Sequence, residues 1–444
     1  MDKIASASRK ADGKRSGYDI YITANSPGEM SGWVAPVLNA FRRLNAETRI
    51  TVVLTPCPYA SGREEAFAGS IGVHRVVPLG RLLKEALFRR GQAVEDESRR
   101  CILFLGGDAF FAVLLAKLLR APAFAYAFKP RWPEHFVKIF VPEEKDFLQA
   151  QRRGIDPSRL EVVGPLALDT VQEFDRRDAA AIRSAVGLAA DAAPVFSLFA
   201  GSRPNGIEHF LTFLLAAARL LTAEFPSGRV LLPVSPFVDR PIITGMLTGS
   251  GEPWREEGDG TRITLGEDRR IAFVFGKTQE AIASSDVIVT LPGTNNLQIA
   301  AHGVPLIVIV PLNWVRHIPL DGLVGRILDI GCPPFPALKE KLIHWMNKRI
   351  PWVSVLNTMS GRMLVPEIRA VLQPEDVAAA AAALWRDPDR RRQMTRELLR
   401  LTSRRGAAKK IAETILAYLT GQAPPAAGTE PGRPKESKAR GADG

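Results

Sequence analysis

Ser285-Asp286-Val287-Ile288-Val289-Thr290-Leu291-Pro292-Gly293-Thr294-Asn295-Asn296-Leu297-Gln298 is the stretch whose reading decides the fold. Val287 to Thr290 form a short run of β-branched residues and read as a buried strand, Pro292 and Gly293 turn the chain, and the residues from Thr294 open a helix. A strand that passes the chain to a helix through such a turn is half of a parallel α/β unit. In that architecture, ligands lie beyond the carboxyl ends of strands, where helix N-termini present unpaired amides and a positive dipole. The Gly293-Thr294 turn therefore suits a diphosphate.

The same rhythm extends in both directions. Val195–Ala200, Arg229–Pro233, Ile271–Phe275 and Pro305–Val310 read as further strands, with helices such as His209–Ala223 between them. Toward the N-terminus, Tyr18–Ala24, Arg49–Leu54 and Ile102–Leu105 read as strands, and Val34–Leu44 and Phe110–Leu119 as the helices that follow. The chain is thus expected to be α/β, with two Rossmann-like doubly wound domains, residues 18–186 and 187–421, meeting near Gly187. Helical patterns at Pro374–Leu384 and Asp389–Leu419 close it, and the last helices are expected to pack back on the first domain. Residues 1–17 and the Pro-, Gly-, Ala- and Lys-rich residues 422–444 are expected to be disordered.

Composition narrows the function. The 444 residues are 46% hydrophobic and 24% charged, values of an ordinary globular chain. No stretch of eighteen uninterrupted apolar residues occurs and the first seventeen residues are polar and basic, so a cytoplasmic protein is expected. Cys57, Cys101 and Cys332 are odd in number and lack metal-ligand spacing, which argues against a disulfide framework and a zinc site. The formal net charge of +12 comes without an aromatic-interleaved basic motif or a finger signature, so no nucleic-acid partner is expected; phosphate ligands or anionic lipid account for it equally well.

The loops after the strands carry the candidate chemistry. Asn25-Ser26-Pro27-Gly28-Glu29-Met30-Ser31-Gly32-Trp33 is a small-residue turn onto a helix, either purely structural or a floor where a sugar can approach the backbone. In Gly106-Gly107-Asp108-Ala109, Asp108 has two readings, a cap on the next helix or a general base facing a cleft. Gly201-Ser202-Arg203 lets backbone approach a phosphate, with Arg203 able to pair with two of its oxygens. Ser354-Val355-Leu356-Asn357 and Ser360-Gly361-Arg362 add amides and a cation in a loop. The one Asp-x-Asp, Asp387-Pro388-Asp389, reads as a helix start rather than an ion site, so no metal is expected.

Taken in order, these segments resemble the lipid A disaccharide synthase family, inverting glycosyltransferases of the two-domain GT-B architecture. The match covers roughly residues 18 to 420: Gly28-Glu29-Met30-Ser31-Gly32, Gly106-Gly107-Asp108-Ala109, Gly201-Ser202-Arg203, Ser285-Asp286 with Gly293-Thr294, and Val353-Ser354-Val355-Leu356-Asn357 with Ser360-Gly361-Arg362. The resemblance implies Asp108 as base and Arg203 as a catalytic or diphosphate-binding cation. It further implies a nucleotide-sugar site of Gly201, Ser202, Gly293, Thr294, Asn295, Gln298, Asn357 and Arg362, and an acceptor site of Gly28, Glu29, Ser31 and Gly32. It implies a UDP-sugar donor, a lipid-linked sugar acceptor and no separate cofactor. It also implies contact with the inner face of the inner membrane, for which Leu79, Leu82, Leu83, Ala86 and Leu87 beside Arg81, Lys84, Arg89 and Arg90 offer a face.

Some positions depart from the family. Trp33 stands where the family has an aspartate, and Gln298 where it has an acidic residue suited to ribose hydroxyls. The aromatic stretch Phe124 to Trp132 is shortened, and residues from about Asn313 to Arg349 are longer than the family's. On sequence alone a UDP-N-acetylglucosamine 2-epimerase-like enzyme and a noncatalytic nucleotide-sugar or lipid-binding protein stay open.

Overall fold

The computed structural model describes residues 17–56, 62–88, 99–174, 178–201, 207–313 and 349–422. The first domain is a seven-stranded sheet of β1 (Asp19–Ala24), β2 (Arg49–Leu54), β3 (Arg75–Pro78), β4 (Arg100–Phe104), β5 (Ala123–Tyr126), β6 (Lys138–Val141) and β7 (Leu160–Val162). Their spatial order is 3-2-1-4-5-6-7. Every pairing is parallel. Helices cover both faces, so the strands read as apolar runs: β4 buries Cys101, Ile102 and Leu103 completely.

The second sheet holds β8 (Val195–Phe199), β9 (Arg229–Val234), β10 (Trp254–Glu257), β11 (Arg262–Leu265), β12 (Ile271–Phe275), β13 (Val287–Thr290), β14 (Leu306–Pro311) and β15 (Glu367–Ala370). Its order is 10-11-12-9-8-13-14-15. It is parallel except where β11 runs against β10 and β12. That antiparallel edge is invisible in the βαβ rhythm, because β10 is polar and only partly buried. The strands read from the sequence match the observed ones to within two residues.

The chain first reaches the second core upstream of Gly187, the residue near which the sequence reading has the domains meet. Val186 already packs with Val195 and Leu231 of the second sheet. The turn of 3-10 helix at Leu166–Thr170 sits astride the two cores, Leu166 in the first and Ala167 and Leu168 in the second. The expected single helix Asp389–Leu419 is two, Pro388–Leu401 and Ala407–Thr420, parted at Gly406, whose φ of 98° lies in the left-handed region. The second of these returns to the first domain and buries Ile411 and Ile415 in its core, each worth about 2 kcal/mol of transfer free energy. Asp169 fixes its start by accepting bonds from the amides of Gly406 and Ala408, both at 2.6 Å. The chain therefore crosses twice at one place, next to the cleft.

Candidate functional site

Two sequence motifs prove to be one structural unit. At the end of β1, Ser26 and Glu29 form a reciprocal capping box, in which Glu29 Oε2 accepts from the amides of Asn25 (2.9 Å) and Ser26 (3.3 Å). The Glu29 carboxylate lies against Gly106, where any β-carbon would collide with it. Gly107 adopts a φ of 84°, and a β-carbon there would strike Thr55. The adjacent parallel strands β1 and β4 thus need the glycines of the second motif to seat the glutamate of the first. Burial raises the Glu29 carboxyl to about 6, against the amides of Asn25, Ser26 and Gly107 that favour its charge.

Beyond Glu29 the chain makes a turn of π-helix, Met30–Val34, a rare insertion found often at functional sites. Ser31 Oγ donates to the Pro27 carbonyl (2.9 Å), so its hydroxyl braces this turn. The turn sets Gly28 and Gly32 against Thr294 of the second domain: a β-carbon on either would lie 3.4 and 3.6 Å from the Thr294 hydroxyl. Asp108 is exposed and caps the helix Ala109–Leu119, accepting from the amide of Phe110 at 3.0 Å. The cap is the structural role; its exposure at a strand end leaves the carboxylate open to a ligand as well.

On the second-domain side, Gly201 follows β8 with a φ of 84°, while Ser202 and Arg203 lie outside the described residues. Asn295 donates to the Thr290 hydroxyl at 3.1 Å, within its own loop. Gln298, expected at a ribose, donates instead to the Thr170 hydroxyl of the interdomain turn at 2.6 Å.

Asn357, which the resemblance places in the nucleotide-sugar site, has its side chain enclosed by the protein. The residue is fully buried, and its amide nitrogen donates to the Val365 carbonyl and the Glu367 carboxylate while its oxygen accepts from the amides of Leu364 and Val365. All four hydrogen-bonding positions are filled from within the protein. Arg362 is exposed, with its guanidinium 2.9 Å from Glu397.

Between the halves lies a cavity of about 300 Å³. Trp33, Tyr126 and Phe128 of the first domain form one wall, with ring centroids 5.5 to 6.2 Å apart. Pro292, Gly293, Thr294, Leu297, Val353 and Val355 form the opposite wall, and Pro165 and Ala167 the base. Glu367 holds Val353 and Ser354 by their amides, both at 2.9 Å, so the pair Asn357 and Glu367 positions that wall. Away from the cavity the domains also meet where Phe67 packs on Phe237 at 4.8 Å, where Arg63 pairs with Asp239 at 2.7 Å, and where Lys145 donates to the Thr358 carbonyl at 2.9 Å. The aromatic wall is the part of the site that motif spacing misses; the clustering of Phe124, Tyr126 and Phe128 after β4 was its signal.

In the helix read as a membrane face, Leu79–Phe88, the first three leucines pack inward. Leu79 and Leu82 are buried in the first core and Leu83 packs on it, because the helix covers the sheet. The side chains of Ala86 and Leu87, and Arg89 and Arg90, lie outside the described residues. Among the described residues no helix is long and apolar enough to cross a membrane, and no group of His, Cys, Asp or Glu is placed to hold a metal ion. Asp387 caps the helix Pro388–Leu401, accepting from Arg390 at 2.8 Å.

Two facing Rossmann-like domains, with a last helix returning to the first, define the GT-B class, and solved structures agree. The chain resembles UDP-N-acetylglucosamine 2-epimerase from Neisseria meningitidis bound to UDP-GlcNAc, at a TM-score of 0.53 and 14% identity over 90% of this chain and 99% of that one. It resembles the UDP co-structure of MnaA from S. aureus at 0.55 and 14%, over 91% and 97%. No family model matches the chain. By sequence it is similar to the lipid-A-disaccharide synthase of Myxococcus xanthus, 28% identical over 283 residues, 63% of this chain and 61% of that protein. That of Ruegeria pomeroyi is 24% identical over 392 residues, 83% of this chain and 87% of the relative. The sequence likeness to lipid-A-disaccharide synthases thus runs at 24 to 28% identity in these two relatives. Its matched region spans about three fifths of the length of the M. xanthus protein.

Proposed function

We propose that the chain is an inverting glycosyltransferase that binds a UDP-sugar in the cleft and transfers the sugar to a lipid-linked acceptor. The specific reaction we read is UDP-2,3-diacylglucosamine with 2,3-diacylglucosamine 1-phosphate, giving a β-1,6 disaccharide and UDP. What supports this is the facing of the Gly28–Gly32 loop and Thr294 across the cleft, in a chain whose sequence relatives are lipid-A-disaccharide synthases.

In this reading the acceptor hydroxyl oxygen bonds to the sugar C1 as the bond from C1 to the diphosphate oxygen breaks, and UDP leaves with that electron pair. Asp108 takes the hydroxyl proton. The Gly201 and Gly293-Thr294 loops and Arg203 receive the diphosphate charge through amides and a cation. We read the step as independent of a metal or other cofactor, and the acceptor as presented at the inner membrane surface.

The test is UDP release across donors and acceptors, acylated and not, with and without a chelator. Release that requires both acylated substrates and survives the chelator is expected. An isomeric UDP-sugar formed without acceptor would replace transfer by epimerisation. UDP binding with no release from any pair would leave a binding protein.

A further inference from the structure

We propose that Glu29 is a positioning residue: its carboxylate fixes the Gly106-Gly107 turn and, through that turn, the direction in which Asp108 presents its free oxygen. The assignment rests on the reading of Asp108 as the base. The Glu29 carboxylate reaches from the loop after β1 into the loop after β4, two strands paired in parallel with Thr23 beside Phe104. There its Oε2 accepts from the amides of Asn25 (2.9 Å) and Ser26 (3.3 Å), and the Gly107 amide is a third donor toward the same carboxylate. Gly107 immediately precedes Asp108, so this third donor carries the hold of Glu29 straight to the base.

Two glycines in succession give the turn no side chains of its own to hold it, and Gly107 lies at a φ of 84°, where glycine alone moves freely. Packing supplies the hold instead. Glu29 fills the space in which a β-carbon of Gly106 would stand, and Thr55 fills the space beside Gly107. Asp108 is then fixed from both ends. Its Oδ1 accepts from the Phe110 amide at 3.0 Å, and the backbone entering it is fastened to Glu29, while the residue stays exposed. Glu29 also belongs to the loop whose Gly28 and Gly32 meet Thr294, so the same carboxylate sets the base against the second domain. A carboxylate offers two acceptor oxygens to the three amides. A glutamine offers one, which Asn25 and Ser26 occupy, and turns its own N–H groups toward Gly107. An error of about 1 Å in the placement of a reacting group costs about a hundredfold in rate.

The experiment measures UDP release by the full-length protein at about pH 8, where Glu29 is ionised, for wild type, Glu29→Gln, Asp108→Asn and the double variant. Glu29→Gln is expected to lower kcat at least about tenfold and to leave KM and UDP affinity within about twofold. In the Asp108→Asn background the same substitution should change the rate by less than about twofold, because there is no base left to place. Equal losses in both backgrounds, a kcat within about threefold of wild type, or a raised KM at unchanged kcat, the mark of a direct acceptor contact, would overturn the proposal. A crystal structure of Glu29→Gln reads the same point without turnover: the Asp108 carboxylate should shift by about 1 Å, and an unmoved carboxylate overturns the proposal as well. Wild type that releases no UDP, or Asp108→Asn that releases it at the wild-type rate, removes the transfer reading instead; a displaced Asp108 in that crystal structure still upholds the hold of Glu29 on its carboxylate.

Discussion

The first domain lines the cleft with aromatic rings, and the second lines it with small and aliphatic residues while its candidate amide side chains bond within the protein. Asp108 is exposed at the end of β4, and Trp33 and Phe128 present rings to the cavity. Across from them, Asn357, Asn295 and Gln298 bond to Val365, Thr290 and Thr170, groups of the protein itself. In the second domain polar side chains hold loops in shape; in the first, Ser26, Glu29 and Ser31 do the same and Asp108 stands exposed while it caps a helix. Substitutions of Asn357 and Asp108 should separate along the same line, with stability lost at the one and turnover at the other.

The sharpest break of that contrast is Asn357→Ala. It strands the amides of Leu364 and Val365, the Val365 carbonyl and part of the Glu367 carboxylate in a buried place, and unpaired buried groups cost about 1 to 3 kcal/mol each. A loss of about 3 to 5 kcal/mol in urea unfolding is expected. A loss below about 1 kcal/mol would mean that the loop is held by other contacts and that Asn357 is free for a ligand.

Asp108→Asn is the matching test in the first domain. Asparagine caps helices as well as aspartate does, so the helix Ala109–Leu119 should keep its stability. A neutral amide cannot take a proton, and UDP release should fall at least about a hundredfold, the equivalent of about 2.7 kcal/mol. Rates within about threefold of wild type would leave Asp108 as a cap and nothing more.

Glu29 shows that the contrast is not absolute, since this first-domain carboxylate is turned inward. Burial favours its protonated form, raised from the ordinary 4.5 to about 6, so its contribution to stability is complete below pH 4.5 and is lost as pH rises through 6. The rise corresponds to about 2 kcal/mol. Glu29→Gln keeps an acceptor for Asn25 and Ser26 without the buried charge. Its stability relative to wild type should therefore grow by about 2 kcal/mol between pH 4 and pH 7. A flat difference would place the charge in water.

Strands and loops were legible because a buried parallel strand followed by a glycine turn leaves a local signature, as Val287–Thr290 and Gly293 do. The roles of individual polar residues were not, because they depend on partners distant in sequence. Nothing near Asn357 announces that Glu367 and the Val365 carbonyl will meet it, and nothing near Gly106 that Glu29 will lie on it. The cavity was hidden for the same reason: Trp33, Tyr126 and Val355 come together only when the two sheets face each other.

Gln298 gives the smallest effect and the finest test of the second domain. Its amide reaches Thr170 in the turn that joins the two cores, so the bond ties the helix Asn295–Ala301 to the crossing between domains. One neutral hydrogen bond of this kind is worth about 1 kcal/mol, and Gln298→Ala should lower unfolding stability by that amount. If the side chain serves only this tie, affinity for UDP stays within about twofold and Thr170→Val reproduces the loss. A weakening of UDP binding by about tenfold, absent in Thr170→Val, would instead give the Gln298 amide a place at the ribose.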